Sequence, residues 1–328
     1  MFTQRKLAIA LALAAAATIA APINAFAQQK LKFAHVYETS EPYHKWALWA
    51  AGEIPKRTGN RYTMEVFPAS QLGKETDINQ SLSLGTIDAI YTGQAFAART
   101  YPPMAIGGAP YMFRDFDHWK KYSEGALLAE LMEAYYKKGG NKPIAATYYG
   151  VRHTTANKAI NKPEDMKGLK LRVPDAPLYV MYPKVVGANA TPIAFAEVYL
   201  ALQNKTVDAQ ENPLPTIEAK KFYEVQSHIN LTGHITEMLL TIISGQTWSK
   251  LSDADKKAFE AIFREAAAKA TADIVVSENN LVGEFTTKFK KTVVKSDRAA
   301  FKAVFTKFHL GPDATWDKAT YDKLQAIK

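Results

Sequence analysis

The 328-residue chain contains no cysteine, which excludes a disulfide framework, a lipoprotein attachment site and any thiolate-based metal or redox chemistry. Beyond Ala21 it has no apolar run near the roughly 20 residues that a membrane-spanning helix needs. Motifs of common enzyme classes are missing as well: there is no G-x-S-x-G, H-E-x-x-H, G-x-G-x-x-G or G-x-x-x-x-G-K-S/T. The histidines show no close metal-ligand spacing, His228 and His234 being the nearest pair of interest, so neither a metal nor a cofactor is expected. Acidic residues are the minority, 32 against 41 Lys and Arg, which favours anionic partners in a general way. The basic residues are scattered, however. The densest run, Lys288-Phe289-Lys290-Lys291, falls on a helical pattern and reads as a solvated face, so nucleic acid is not an expected partner.

What is present begins with an export signal. Arg5 and Lys6 precede an apolar stretch at 7–21, and Ala25-Phe26-Ala27 forms a small-residue cleavage site, so residues 1–27 read as a signal peptide. The stretch is short and alanine-rich, unlike a membrane anchor, and a free periplasmic protein starting at Gln28 is expected. Loss of Arg5 and Lys6 takes the net charge from +9 to +7, and the remaining length is enough for two ordinary domains.

Period-two and helical patterns then alternate. Strands are expected at 31–37, 62–67 and 87–91, with helices at 43–54 and 75–84 between them, an order that predicts an open α/β sheet with crossover connections. A helix at 117–137 leads to a strand at 143–149. A second alternation follows, with strands at 169–173 and 207–210 and helices at 178–186 and 196–203, and a strand at 239–244 returns to the first sheet. Phe259, Ile262, Phe263, Ala266, Ala270, Ile274, Leu281, Phe285 and Phe289 keep three-and-four spacing. They predict one helix of roughly 55 Å at about 1.5 Å per residue, long enough to cross two lobes, its phenylalanine stripe serving as core.

The stretch from Val151 to Pro213 carries the most functional information. In Gly168–Val173 the apolar Leu169, Leu171 and Val173 alternate with Lys170 and Arg172, and Pro174 ends the strand. An arginine on a short strand reads, on its own, as solvated surface. Held at a strand end by stiff backbone, its planar guanidinium is also suited to gripping a carboxylate with two parallel hydrogen bonds.

GVRHTT, KGLKLRVP, PIAFAEVYLALQ and VDAQENP, in that order, resemble the solute-binding proteins of tripartite ATP-independent periplasmic (TRAP) transporters, the DctP family. A looser likeness runs from Leu31 to about Phe289. The resemblance implies a two-lobed α/β periplasmic binding protein fold: two open mixed sheets flanked by helices, joined by hinge crossings and a long bridging helix. It places lobe I at 28–149 plus 238–277 and lobe II at 150–237 plus 278–328. It implies that Arg172 is the main carboxylate anchor, with Arg152 a second arginine nearby, Asn212 assisting and Phe195 packing on the solute. Read without the family, Asn212 is a turn former before Pro213 and Phe195 a core residue. The implied partners are a small carboxylate ligand and the membrane permease subunits of the transporter.

Selectivity is expected from the first lobe. Sialic-acid-binding relatives carry a glutamate and, three residues on, an arginine just after the third strand; this chain has Gly93 and Phe96 there, which speaks against sialic acid. Glu38, His44, Glu75 and Gln94 lie outside the carboxyl ends of strands, where open α/β sheets bind ligands. Singly each reads as solvated surface or helix-end chemistry; together they propose a pocket rich in hydrogen-bonding groups. Such a pocket favours a carboxylate with several hydroxyls, and a hexuronate such as glucuronate or galacturonate is the expected ligand. C4-dicarboxylates and 2-oxo acids are the rivals. A periplasmic hydrolase or isomerase of sugar acids is the alternative from another class, and a sensory binding module shares the fold.

Overall fold

A computed structural model describes residues 28–328. The expected signal peptide lies outside the described residues. The first alternation is present as expected: β1 (Gln29–Ala34), α1 (Pro42–Arg57), β2 (Tyr62–Phe67), α2 (Glu75–Ser83) and β3 (Ala89–Gly93). In β1 the side chains of Leu31 and Phe33 are buried while Lys30 and Lys32 face solvent, the alternation of a strand covered on one side. Pro42 in the first turn and Lys56 and Arg57 in the last suit the two ends of α1. The expected helix at 117–137 is two, α3 (Phe116–Ser123) and α4 (Ala126–Gly139). Gly125 separates them, and a Cβ there would stand 2.6 Å from the Lys121 carbonyl oxygen.

The two lobes are continuous through their sheets. β4 (Lys142–Ala156), β5 (Lys170–Val173), β6 (Asn189–Pro192), β7 (Ala209–Pro213) and β8 (His228–Ile243) join the first three strands in the order β2-β1-β3-β8-β4-β7-β5-β6, and β9 (Thr292–Val294) adds to β8. β4 and β8 run antiparallel through both halves, so two sheets form one hydrogen-bonded path. Both strands are far longer than the apolar segments at 143–149 and 239–244. Their extra residues, VRHTTA and HINLTGH, are largely polar, with a brief alternation at Ile229 and Leu231, and are held extended by neighbouring strands.

At the crossing, β4 shifts register between Tyr148 and Gly150 and again between Arg152 and Thr154. Gly150 adopts φ +122, and a Cβ on it would sit 2.6 Å from Glu278 Oε1 and 2.8 Å from Pro213 Cβ. Glu278 fills the break: its Oε1 accepts from the Val151 amide at 2.6 Å and its Oε2 from the Tyr148 hydroxyl at 2.9 Å.

Glu278 belongs to α5 (Asp253–Thr287), whose 35 residues give about 52 Å. Ser252 caps it, its hydroxyl oxygen accepting from the Asp255 amide. Phe259, Ile262, Phe263, Ala266, Ala270 and Ile274 join the larger buried cluster, which takes in Phe33 and Ala47 of the first lobe and Leu171 and Val173 of the second, while Leu281 and Phe285 join a smaller cluster with Val198, Leu214 and Phe222. The stripe is therefore core, divided between two clusters.

Two helices near the C-terminus were absent from the expected elements, α6 (Arg298–Thr306) and α7 (Lys318–Gln325), although Phe301, Val304, Phe305 and Phe308 give α6 a three-and-four spacing. Residues 278–328 do not all stay with the second lobe: the Leu324 carbonyl lies 2.9 Å from His118 Nε2, and Lys323 pairs with Glu130 at 2.9 Å, bringing α7 against α3 and α4. Among the described residues no helix is long and apolar enough to cross a membrane, and no group of acidic or histidine side chains could hold a metal ion.

Candidate functional site

Strands β1, β3 and β5 end at one cleft between the lobes, with β4, β7 and β8 forming its floor. The cleft encloses about 530 Å³ of empty space, its open mouth included, and Arg172, Arg152, Asn212, Phe195 and Glu75 all line it. Five of the eight residues singled out from sequence thus converge. The other three do not reach it. Gln94 turns into the core below the 3₁₀ turn Pro102–Gly108, its Nε2 3.4 Å from the Tyr122 hydroxyl. His44 is engaged by a neighbouring ring, its Nδ1 3.2 Å from His35 Nε2. Glu38 stands at the rim and accepts from Lys220 of the other lobe at 2.7 Å. All three lie near strand ends, but one strand step or helix turn redirects a side chain away from the cleft.

Arg172 is placed by the parallel ladder β7-β5-β6. Val173 pairs with Pro192, so the next carbonyl, that of Ile193, folds over the guanidinium and accepts from Nε at 2.9 Å and Nη2 at 2.6 Å. The residue is 1 % exposed, yet Nη1 meets no acceptor among the described residues. Burial pulls its pKa down to about 10, the neighbouring Arg152 adding to the effect and Glu211 opposing it. It is a buried cation facing a cavity with one fork unused, in an environment where an isolated charge is costly.

Arg152 has a different state. Its Nε and Nη2 pair with both carboxylate oxygens of Glu211, and Nη2 also donates to the Glu211 carbonyl at 2.9 Å. Burial works against ionisation of Glu211, but the Arg152 charge and the hydrogen bond to His234 outweigh it and hold the carboxyl down to about 2. With its charge balanced, Arg152 organises its neighbours: the Tyr179 and Tyr149 rings lie 5.1 and 5.7 Å from its guanidinium carbon. Asn212 is in β7 rather than in a turn, its Oδ1 3.2 Å from the Tyr149 hydroxyl and its Nδ2 2.6 Å from Gln210 Oε1. Phe195 is half-buried at the cleft wall, beneath Lys220. Glu75 opens α2, and its Oε1 accepts from the Gly93 amide at 2.9 Å and the Thr92 hydroxyl at 3.0 Å.

Sequence reasoning missed Tyr37, Tyr149, Tyr179 and Glu237, all of which line the same cleft. Glu237 had a signal: it is the one charged residue in the run ITEMLLTII that begins at Ile235. Its Oε2 accepts from the Tyr179 hydroxyl at 2.7 Å, and burial raises its pKa to about 7 against the pull of Arg152. A Cβ at Gly93 would come within 3.1 Å of that tyrosine oxygen, so Gly93 leaves room for Tyr179.

Residues 33–310 match the family of bacterial extracellular solute-binding proteins, family 7 (DctP). The chain is 35% identical over 268 residues to the sialic acid-binding periplasmic protein SiaP of Vibrio cholerae, covering 82% of this chain and 84% of that one. Among solved structures it is similar to a TRAP periplasmic solute-binding protein from Polaromonas bound to D-erythronate, at 34% identity and a TM-score of 0.84, covering 92% of this chain and 99% of that one. A second, from Roseobacter denitrificans with bound L-galactonate, matches at 30% identity and a TM-score of 0.85, covering 92% and 99%. The chain belongs to the TRAP solute-binding proteins of family 7, a family of transport proteins that bind organic acids.

Proposed function

We propose that this protein captures a sugar acid in the periplasm, one carboxylate carrying a chain of hydroxyls, and presents it to a membrane permease for ion-gradient-driven uptake. Hexuronates such as D-glucuronate and D-galacturonate belong to this class, as do open-chain aldonates. The observation that carries the reading is Arg172, fully buried, its Nη1 without an acceptor among the described residues, in a cleft whose polar lining includes Tyr37, Tyr149, Tyr179, Asn212, Glu75 and Glu237. A ligand carboxylate supplies the missing counter-ion, and its hydroxyls engage the polar wall; an apolar acid would leave those groups unpaired. Arg152 acts on this reading as a positioning residue, and Asn212 and Phe195 as contacts to the acid end. Gly93 and Phe96, at the places where sialic-acid-binding relatives carry a glutamate and an arginine, are the basis for setting sialic acid aside.

Binding is coupled to closure. The lobes divide at 149/150 and 237/238, with α5 crossing between them and α7 moving with the first lobe. Contacts that span the division, Lys220 with Glu38 and Arg99 with the Asp175 carbonyl at 2.6 Å, form on closing. One observation favours the dicarboxylate rival: Lys74 lines the same cleft and makes no ion pair among the described residues, though it is exposed to solvent. A thermal-shift screen separates the two, because a ligand that binds the native state raises the melting temperature by mass action. Hexuronates and aldonates should give the largest rises and neutral sugars almost none. A larger rise with succinate or a 2-oxo acid would overturn the sugar-acid assignment.

A further inference from the structure

The cleft holds one charge arrangement that the family relationship does not explain. Arg152 is balanced by Glu211, which leaves Arg172 as the buried cation without a counter-ion. Opposite stand two carboxyl groups, Glu75 and Glu237. Glu75 Oε1 is occupied by the Gly93 amide and the Thr92 hydroxyl. Glu237 is freer: it is fully buried, its Oε2 is fixed by Tyr179, and its Oε1 accepts a long bond of 3.3 Å from the Met238 amide. A carboxylate offers about four acceptor sites, so Glu237 retains capacity for hydroxyl donors. Lys74, the cation that could offset it, is solvent-exposed and screened.

Resting on the sugar-acid reading above, we infer that Glu237, oriented by Tyr179, is the specificity-determining residue of the cleft: it accepts a hydroxyl of the bound acid and rejects a second carboxylate. Discrimination of this kind needs a repulsive element as well as an attractive one, and a buried like charge is an effective one. One carboxylate neutralises Arg172; a second would face Glu237 and Glu75 with no buried cation left to receive it. The length of the ligand is secondary to this charge rule. Four-carbon acids of equal length, one with a single carboxylate and three hydroxyls and the other with two carboxylates, are sorted by Glu237.

Titration calorimetry at pH 8 with D-erythronate and succinate tests the inference on the wild type, Glu237→Gln, Glu237→Asp and Arg172→Ala. The wild type should bind erythronate at least about 100-fold more tightly than succinate, since a misplaced buried charge costs a factor of this order. Glu237→Gln, nearly isosteric, should narrow that ratio by about 30-fold or more, weakening erythronate and strengthening succinate. Glu237→Asp keeps the charge and should weaken erythronate while still rejecting succinate; it serves if the Gln variant does not fold. Arg172→Ala should lose both acids. A wild type that prefers succinate would overturn the sugar-acid reading and this inference with it. A wild type that prefers erythronate, with a ratio that Glu237→Gln leaves within threefold, would overturn this inference alone.

Discussion

Replacing Arg172 by methionine should abolish binding without harming the ligand-free protein. The guanidinium is buried and its pKa is drawn down to about 10, a penalty of about 3 kcal/mol at 1.36 kcal/mol per unit. An apolar side chain of similar volume removes that penalty. Against it stands the Ile193 carbonyl, which loses both of its donors, at a cost of about 1–3 kcal/mol. The balance is a ligand-free stability that is unchanged or higher by up to about 2 kcal/mol, so the melting temperature should hold or rise by a few degrees. Affinity moves the other way. Truncating one partner of a buried, hydrogen-bonded charge pair costs about 2–5 kcal/mol, or roughly 30-fold to several-thousand-fold in Kd. Arg172→Lys keeps the charge but loses the fork and should fall at the low end of that range. Thermal melts and calorimetry on the same preparations read both quantities. If the methionine variant binds within threefold of wild type, the anchor assignment fails and Arg152 becomes the candidate. If its ligand-free melting temperature drops by more than about 5 °C, Arg172 is a structural residue and the unbalanced-charge argument is wrong.

Burial raises Glu41, Glu237 and Glu278 each to about 7 from an ordinary value of 4.5, so each stabilises the fold fully at pH below 4.5 and progressively less as pH rises to 7. Glu211, held down to about 2, contributes above pH 4.5 and loses that contribution as pH falls toward 2. Burial lowers His35 and His153 to about 3, so they contribute more as pH rises toward 6.5 and oppose the carboxyls. The melting temperature of Glu278→Gln should therefore gain on that of the wild type between pH 5 and 7.5, and a constant difference would contradict the assignment. Glu211→Gln strands the buried Arg152 and should cost about 3–5 kcal/mol in chemical denaturation at pH 7, with ligand binding lost alongside. Lys220→Met removes a rim ion pair that is partly exposed and should change affinity by no more than about fivefold in calorimetry, since such pairs are worth about 0–1 kcal/mol.

The parts of this molecule that could be read from sequence are those set by short-range pattern. β2 begins and ends at Tyr62 and Phe67 as its alternation predicts, and α5 follows its three-and-four spacing from a Ser252 cap. The polar halves of β4 and β8 were invisible because what holds them extended is a neighbouring strand rather than their own residues. The same division runs through the cleft. Arg172 could be found because a strand of four residues presents it and a family motif surrounds it. The states of the site residues could not be found, because they depend on partners far away along the chain. Glu211 balances Arg152 across 59 positions, and Tyr179 orients Glu237 across 58.

That dependence bears on how the cleft reads a ligand. Both arginines lie in runs that resemble the family, yet the fold pairs Arg152 with Glu211 and leaves Arg172 with an unused fork. Counting the two arginines alone would give two positive sites and would favour a dicarboxylate. The pairing with Glu211 removes one of them, and Glu237 adds a negative site in a strand that the motif does not include. On the proposed reading, the charges facing Arg172 are set by Glu211 in β7, inside the motif, and by Glu237 in β8, outside it. Substitutions in these two strands can redirect selectivity among organic acids while the carboxylate anchor stays as it is.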